Sequence, residues 1–270
     1  MIYQKFELTR SHTKRQIAYA ESGNILSENI IFCIPGILET KETFQPIHEY
    51  ELSHKDAHIV SVDICGRGAS SPLEKDENYR MSVYLEDIKL LLSSIIQEKA
   101  KHNSKTINIY MLGTSMGGLL IFYLLQEFGV YIKGICLNDI ALTLKWFSIL
   151  ELSKPIRNSH ISLQELAQTL KVAPEVLMDV QKNEHFDLPY KSDLIGMHFH
   201  HLIDKFKGIL FLIYGEQSII CTSDVVLEFK LRFPHATYLK VLGSPHPVAL
   251  NAEIAQKIFQ KFKLETAITP

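Results

Sequence analysis

The sequence predicts an α/β chain: a mostly parallel sheet flanked by helices. Three observations carry that prediction. Short β-branched runs alternate with helical patterns along most of the chain. Most of those runs are apolar throughout, as strands become when helices cover both faces of a sheet. The chain has 270 residues, of which 46% are hydrophobic, enough to build a sizeable core.

Taken in order, MIYQKFELTR at the N-terminus alternates like a strand. It has no continuous apolar stretch or small-residue cleavage site, so it is not read as a signal peptide. Further strands are expected at RQIAYA (15–20), IIFCI (30–34), HIVSV (58–62), INIYML (107–112), IKGICL (132–137), ILFLIY (209–214) and ATYLKVL (236–242). Between them, Tyr84, Ile88, Leu91 and Ile95 recur at helical spacing, with Ser82 as the expected N-cap. A second helix is expected from Leu119 to Phe128, stopped by Gly129. Ile254, Ile258 and Phe262 mark the stripe of a last helix after Asn251.

The rhythm breaks between Leu142 and Lys207. That stretch carries the helical patterns SLQELAQTL (162–170) and APEVLMDVQ (173–181), the single tryptophan Trp146, and no convincing strand. The expected organisation is a core of residues 1–141 and 208–270 with an all-helical cap, or lid, at 142–207.

Composition excludes several functions. With 28 Lys+Arg against 30 Asp+Glu, the formal charge is -2, so bulk charge does not draw the chain to nucleic acid or an anionic membrane. Apolar runs such as 118–125 and 208–214 are too short to span a bilayer. Cys33, Cys65, Cys136 and Cys221 are widely spaced with no C-x-x-C pair, which fits a reduced, cytoplasmic protein. The HFHH run holds His198, His200 and His201, with no cysteine or acid at ligand spacing. It is read as a solvated or lid-lining face rather than a metal site. No nucleotide or cofactor motif is present, and the expected partner is a small-molecule substrate.

The chemistry concentrates in MLGTSMGG (111–118), where an apolar strand runs through Gly113, Thr114, Ser115, Met116 and Gly117 straight into a helical pattern. A turn this sharp forces Ser115 into a strained backbone, and glycines two residues to either side let strand and helix approach. The hydroxyl is then held at the carboxyl end of the sheet, beside a helix N-terminus that favours developing negative charge. A serine nucleophile needs a base. Among twelve histidines, His246 in GSPHPVAL (243–250) stands after the last expected strand, where a serine–acid–histidine order puts it. In CIPGILE (33–39) a strand ends at Pro35-Gly36. The amides of Ile37 and Met116 are the candidate oxyanion hole, a device that contributes about 3–4 kcal/mol per donor.

GTSMGG, the Pro-Gly after the third strand, DICGRGASS (63–71) and GSPHPVAL together resemble the α/β-hydrolase superfamily, across nearly the whole chain. The resemblance implies an eight-stranded α/β-hydrolase fold with a cap at 142–207. It also implies a structural anchor at Asp63 in the D-x-R-G-x-G-x-S-like turn, where Cys65 stands in the usual arginine position. Pro35-Gly36 replaces the family's usual His-Gly. YAESG (19–23) resembles its N-terminal hairpin.

The family's acid normally follows the seventh strand, but YGEQSIICTSD (214–224) carries Ser218 and Ile219 where Asp is expected. Loss of the acid costs on the order of 10⁴ in turnover in serine proteases. Three replacements are open: Asp139, directly after the sixth strand, and then Glu216 and Asp224. The expected function is a serine hydrolase of esters or thioesters working through an acyl-enzyme. A non-catalytic ligand- or partner-binding protein and a cofactor-free carbon–carbon bond hydrolase are the alternatives. Dehalogenase and epoxide-hydrolase chemistry is disfavoured, because those relatives carry Asp at the elbow. A lid-mediated dimer and the natural substrate are not legible in the sequence.

Overall fold

The computed structural model describes residues 1–10, 13–54, 56–101 and 106–264. The order begins β1 (Ile2–Arg10), β2 (Thr13–Gly23), β3 (Asn29–Ile34), α1 (Gln45–His54), β4 (His58–Val62) and α2 (Met81–Lys101). It continues with β5 (Asn108–Thr114), α3 (Met116–Phe128) and β6 (Ile132–Asn138). Next come β7 (Thr143–Lys145), α4 (Trp146–Arg157), α5 (Leu163–Leu170), α6 (Pro174–Val180), β8 (Lys191–Ser192), β9 (Gly196–His198) and α7 (His200–Ile203). Last are β10 (Ile209–Gly215), α8 (Ser223–Arg232), β11 (Thr237–Val241) and α9 (Ala252–Phe262).

Eight strands form one sheet in the order β1-β2-β4-β3-β5-β6-β10-β11. β2 pairs antiparallel with β1 and β4, and every other neighbouring pair is parallel. Alternation along the central strands explains the two-sided core. Ile30, Phe32 and Ile34 pack with Leu91 of α2 and Leu119 of α3. Their neighbours Ile31 and Cys33 face the other way, against Ile47 of α1 and Ile258 and Phe259 of α9. Both faces are therefore covered, which is why these strands read as continuous apolar runs.

Asp63, fully buried beyond β4, accepts from the Lys41 amide (2.7 Å), the Lys41 ammonium (2.6 Å) and the Ala69 amide (2.9 Å). It pins the turn after β4 to the segment after β3.

Two expectations are corrected. Residues 142–207 are not all helical: β7, β9 and β8 pair into a small antiparallel sheet beside the helices. Strands of two or three residues are too short to show a period of two. Ser82 is not the cap of α2, which begins one residue earlier at Met81. Asp187 does that work from a distant segment, accepting from the Ser82 amide at 2.9 Å and from its hydroxyl at 2.5 Å.

Candidate active site

β5 ends at Thr114 and α3 starts at Met116, so Ser115 alone makes the turn between them. Its backbone sits at φ 49° and ψ −116°, a strained conformation that the surrounding packing must enforce. The flanking glycines show how. A Cβ on Gly117 would lie 2.1 Å from the Ile34 carbonyl oxygen, and one on Gly113 would lie 2.6 Å from the Gly117 carbonyl carbon. Strand, helix and the β3 loop pack this closely only because no side chain intervenes. The Ser115 amide donates to Asn138 O at 2.9 Å, tying the turn to the end of β6.

The loop between β11 and α9 brings His246 to the same point. Asn138 Nδ2 holds that loop, donating to Val248 O at 2.9 Å and to Thr114 Oγ1 at 3.2 Å. Ser115 Oγ and His246 Nε2 lie 2.9 Å apart, within hydrogen-bonding reach. On the other side of the ring, Nδ1 lies 3.4 Å from Asp139 Oδ2. That is ion-pair distance rather than a short hydrogen bond, and among the described residues neither atom hydrogen-bonds elsewhere.

Asp139 is fully buried, sits at φ 58°, and donates its amide to Ile213 O of β10 at 2.8 Å. Its Oδ1 accepts from Ser218 Oγ at 2.6 Å. Ser218 Oγ in turn accepts from the Ile220 and Cys221 amides at 3.1 and 2.9 Å, which leaves its own proton for Asp139. Burial, reinforced by the Asp139 charge, pushes the neighbouring Cys221 thiol well above its ordinary pKa.

The other two carboxylates are engaged elsewhere. Glu216 is exposed, pairs with Lys240 at 2.8 Å and accepts from the Gly243 amide at 3.1 Å; Lys240 holds its pKa below the usual value. Asp224 lies in the first turn of α8 and pairs with Lys145 at 2.5 Å. Hydrogen bonds from Lys145 and Thr222 hold its pKa down at about 2.

The turn after β3 is held on three sides. The Glu39 amide donates to Gly36 O at 3.2 Å, and in a trans peptide the Ile37 N–H then points the opposite way. Glu39 Oε2 accepts from the Gly36 amide at 2.7 Å. Burial raises the Glu39 carboxyl pKa, partly offset by that amide and by nearby His246.

Arg67 completes the clamp. Its Nε donates to Ile37 O at 2.7 Å, Nη1 to Cys65 O at 2.9 Å and Nη2 to the Tyr84 hydroxyl at 3.2 Å. The guanidinium is buried, stacks 4.6 Å from the Tyr84 ring centroid, and has no carboxylate partner among the described residues. Met116 opens α3, so its amide belongs to the first turn, where no intrahelical acceptor exists.

A cavity of about 680 Å³ opens over these groups, lined by Ile37, Glu39, Ser115 and His246 and, from residues 142–207, by Trp146, Ile149 and Phe186 among others. His198 lies outside that lining, 3.0 Å from Asp193 and 3.1 Å from the Thr143 hydroxyl. No three His, Cys, Asp or Glu side chains among the described residues are grouped to hold a metal ion.

Residues 29–165 match the family model described as the alpha/beta hydrolase fold. The chain belongs to the α/β-hydrolase fold family. A solved chain from Rickettsia typhi superposes on this α/β hydrolase with a TM-score of 0.76 at 18% identity, covering 98% of this chain and 100% of that one. An esterase from Thermogutta terrifontis superposes with a TM-score of 0.69 at 14% identity, covering 97% and 100%. In sequence, 3-hydroxybutyrate-oligomer hydrolase from Cupriavidus necator is 26% identical over 125 residues, which span 46% of this chain and 39% of that protein.

Three residues of this α/β hydrolase's site escaped the sequence reading as functional groups: Arg67, Glu39 and Ser218. Arg67 and Ser218 hold other residues, while Glu39 both accepts from the Gly36 amide and lines the cavity. Ser218 alone left a trace, as the serine standing where the family usually carries its acid.

Proposed function

We propose that the protein is a serine hydrolase that cleaves a small, largely apolar ester or thioester through an acyl-enzyme. The observation that carries this reading is the 2.9 Å approach of Ser115 Oγ to His246 Nε2 at the floor of the cavity. With Nε2 accepting from the serine hydroxyl, the ring proton sits on Nδ1 and faces Asp139. His246 takes the Ser115 proton as Oγ attacks the carbonyl and passes it to the leaving group. Water, deprotonated by the same histidine, then clears the acyl-enzyme.

Asp139 holds the ring in that tautomer and stabilises the imidazolium. The Ile37 and Met116 amides receive the oxyanion, and residues 142–207 act as a lid over the core. The cavity's aliphatic and aromatic lining supports an apolar substrate. Among the described residues no helix is long and apolar enough to cross a membrane. A cytoplasmic location belongs to this reading and is supported by four free, buried cysteines.

The test is turnover of a short-chain ester by wild type, Asp139→Asn and Glu216→Gln. Asp139→Asn is expected to lower kcat by orders of magnitude, approaching the 10⁴ or so seen when a triad aspartate is lost. Glu216→Gln is expected to change it little. Equal, small effects would remove Asp139 from the triad.

A further inference from the structure

We infer that the cavity takes an elongated acyl chain carrying a carboxylate at the end remote from the scissile bond, with Arg157 as its recognition residue. This deepens the proposed hydrolase and rests on it. The cavity has a direction set by α4. Trp146, Ile149, Leu152, Ser153, Ile156 and Arg157 all line it, and their spacing lays one face of the helix along the cavity from first turn to last.

The start of that helix is anchored next to the catalytic acid. Ser148 Oγ donates to Ile219 O at 2.6 Å, one residue from the Ser218 that holds Asp139. Arg157, nine residues further on, therefore lies about 13 Å along the helix from that anchor.

Charge follows the same axis. Glu39 stands at the nucleophile end, hydrogen-bonded to the turn that carries the Ile37 amide. An anionic group close to the scissile carbonyl would meet that carboxylate. At the other end Arg157 is exposed and has no ion-pair partner among the described residues, although Lys154 on the same helix pairs with Glu151 at 2.5 Å. Lys182 also lines the cavity, but its ammonium is already paired with Asp179 at 2.5 Å. Between the ends, Ile149, Leu152 and Ile156 offer hydrocarbon alone. A chain with an ester at one terminus and a carboxylate at the other matches this sequence of surfaces. At the mouth of the cavity, the carboxylate meets a planar guanidinium without losing all of its water.

The experiment compares monomethyl sebacate with methyl decanoate, equal in chain length and differing in the terminal carboxylate. Hydrolysis of either consumes one water and releases methanol and the acid, through a Ser115 ester that forms as methoxide leaves with the His246 proton. Wild type is expected to favour the sebacate monoester in kcat/KM by about fivefold, mostly through KM, and the preference should shrink with added salt. In Arg157→Ala the ratio should fall towards one, in Arg157→Lys it should be partly kept, and in Arg157→Glu it should invert. Turnover of both esters with no preference, or a preference untouched by all three substitutions, overturns the inference and leaves the hydrolase standing. No turnover of either ester, together with no fluorophosphonate labelling of Ser115, overturns both.

Discussion

Ser115 can make the one-residue turn between β5 and α3 only because its neighbours lack side chains, a steric constraint. Gly117→Ala would drive a Cβ to within 2.1 Å of a backbone oxygen. It is expected to destabilise the protein by about 3 kcal/mol or more, visible as a lower urea midpoint or loss of soluble protein. Ser218 poses a subtler question. It stands where the family usually carries an acid and has become the support of one, donating at 2.6 Å to Asp139. Ser218→Ala removes a charge-assisted hydrogen bond while keeping the carboxylate. We expect kcat to fall by about tenfold, far less than in Asp139→Asn, with KM nearly unchanged. An equal loss in both variants would mean that Ser218 does more than position. Arg67 is the counterpart on the side of the Ile37 peptide, whose carbonyl it holds. Arg67→Met keeps volume but releases the Ile37 carbonyl, so kcat should drop while KM for a neutral ester changes little.

At the scale of elements, residues 142–207 share the main core through Leu144, Val176 and Phe199 and are tied down at its edge by polar contacts. Asp187 caps α2 from the segment after α6, and Asp179 accepts from the Tyr79 amide at 2.8 Å. Asp187→Ala frees one tie of residues 142–207 to α2 and uncaps a long helix. It should cost about 1 kcal/mol in global stability and raise proteolytic nicking within residues 142–207, measured by limited proteolysis.

What was legible in the sequence follows the same line between local and remote causes. The elbow, the strands of the central sheet and Asn251, whose side chain accepts from the Ile254 amide at 2.9 Å, announce themselves through neighbours in the chain. Asp187 as the cap of α2 does not, because the two segments are about a hundred residues apart and only the fold brings them together. β7, β8 and β9 were invisible for a different reason: strands of two or three residues carry no measurable period. The choice among Asp139, Glu216 and Asp224 turns on distance to one imidazole nitrogen, a quantity that spacing along the chain does not encode.

For the whole molecule, two buried histidines contribute to the pH response between neutrality and pH 4. His48 bridges Ser22 and Ser61 with its two ring nitrogens at 2.7 and 2.8 Å, and His185 bonds Tyr79 O through Nδ1 at 2.9 Å. Burial lowers both pKa values to about 4. A folded value below the unfolded one means that the unfolded chain takes up protons first as pH falls through about 6.5. Stability should therefore be full above that pH and decline towards pH 4, by on the order of 3 kcal/mol per histidine. Urea midpoints measured from pH 7 to pH 4 should show this slope, and His48→Gln should flatten it. A flat profile in wild type would mean that these rings are solvated in the folded state.

The account as a whole depends on an activated hydroxyl, and the most direct measurement is the site of fluorophosphonate attachment in the folded protein. Intact mass followed by peptide mapping should give one adduct, on Ser115, formed rapidly by wild type and slowed by orders of magnitude in His246→Ala. Folded wild type that stays unlabelled, or that reacts at Ser115 equally fast without His246, would contradict it.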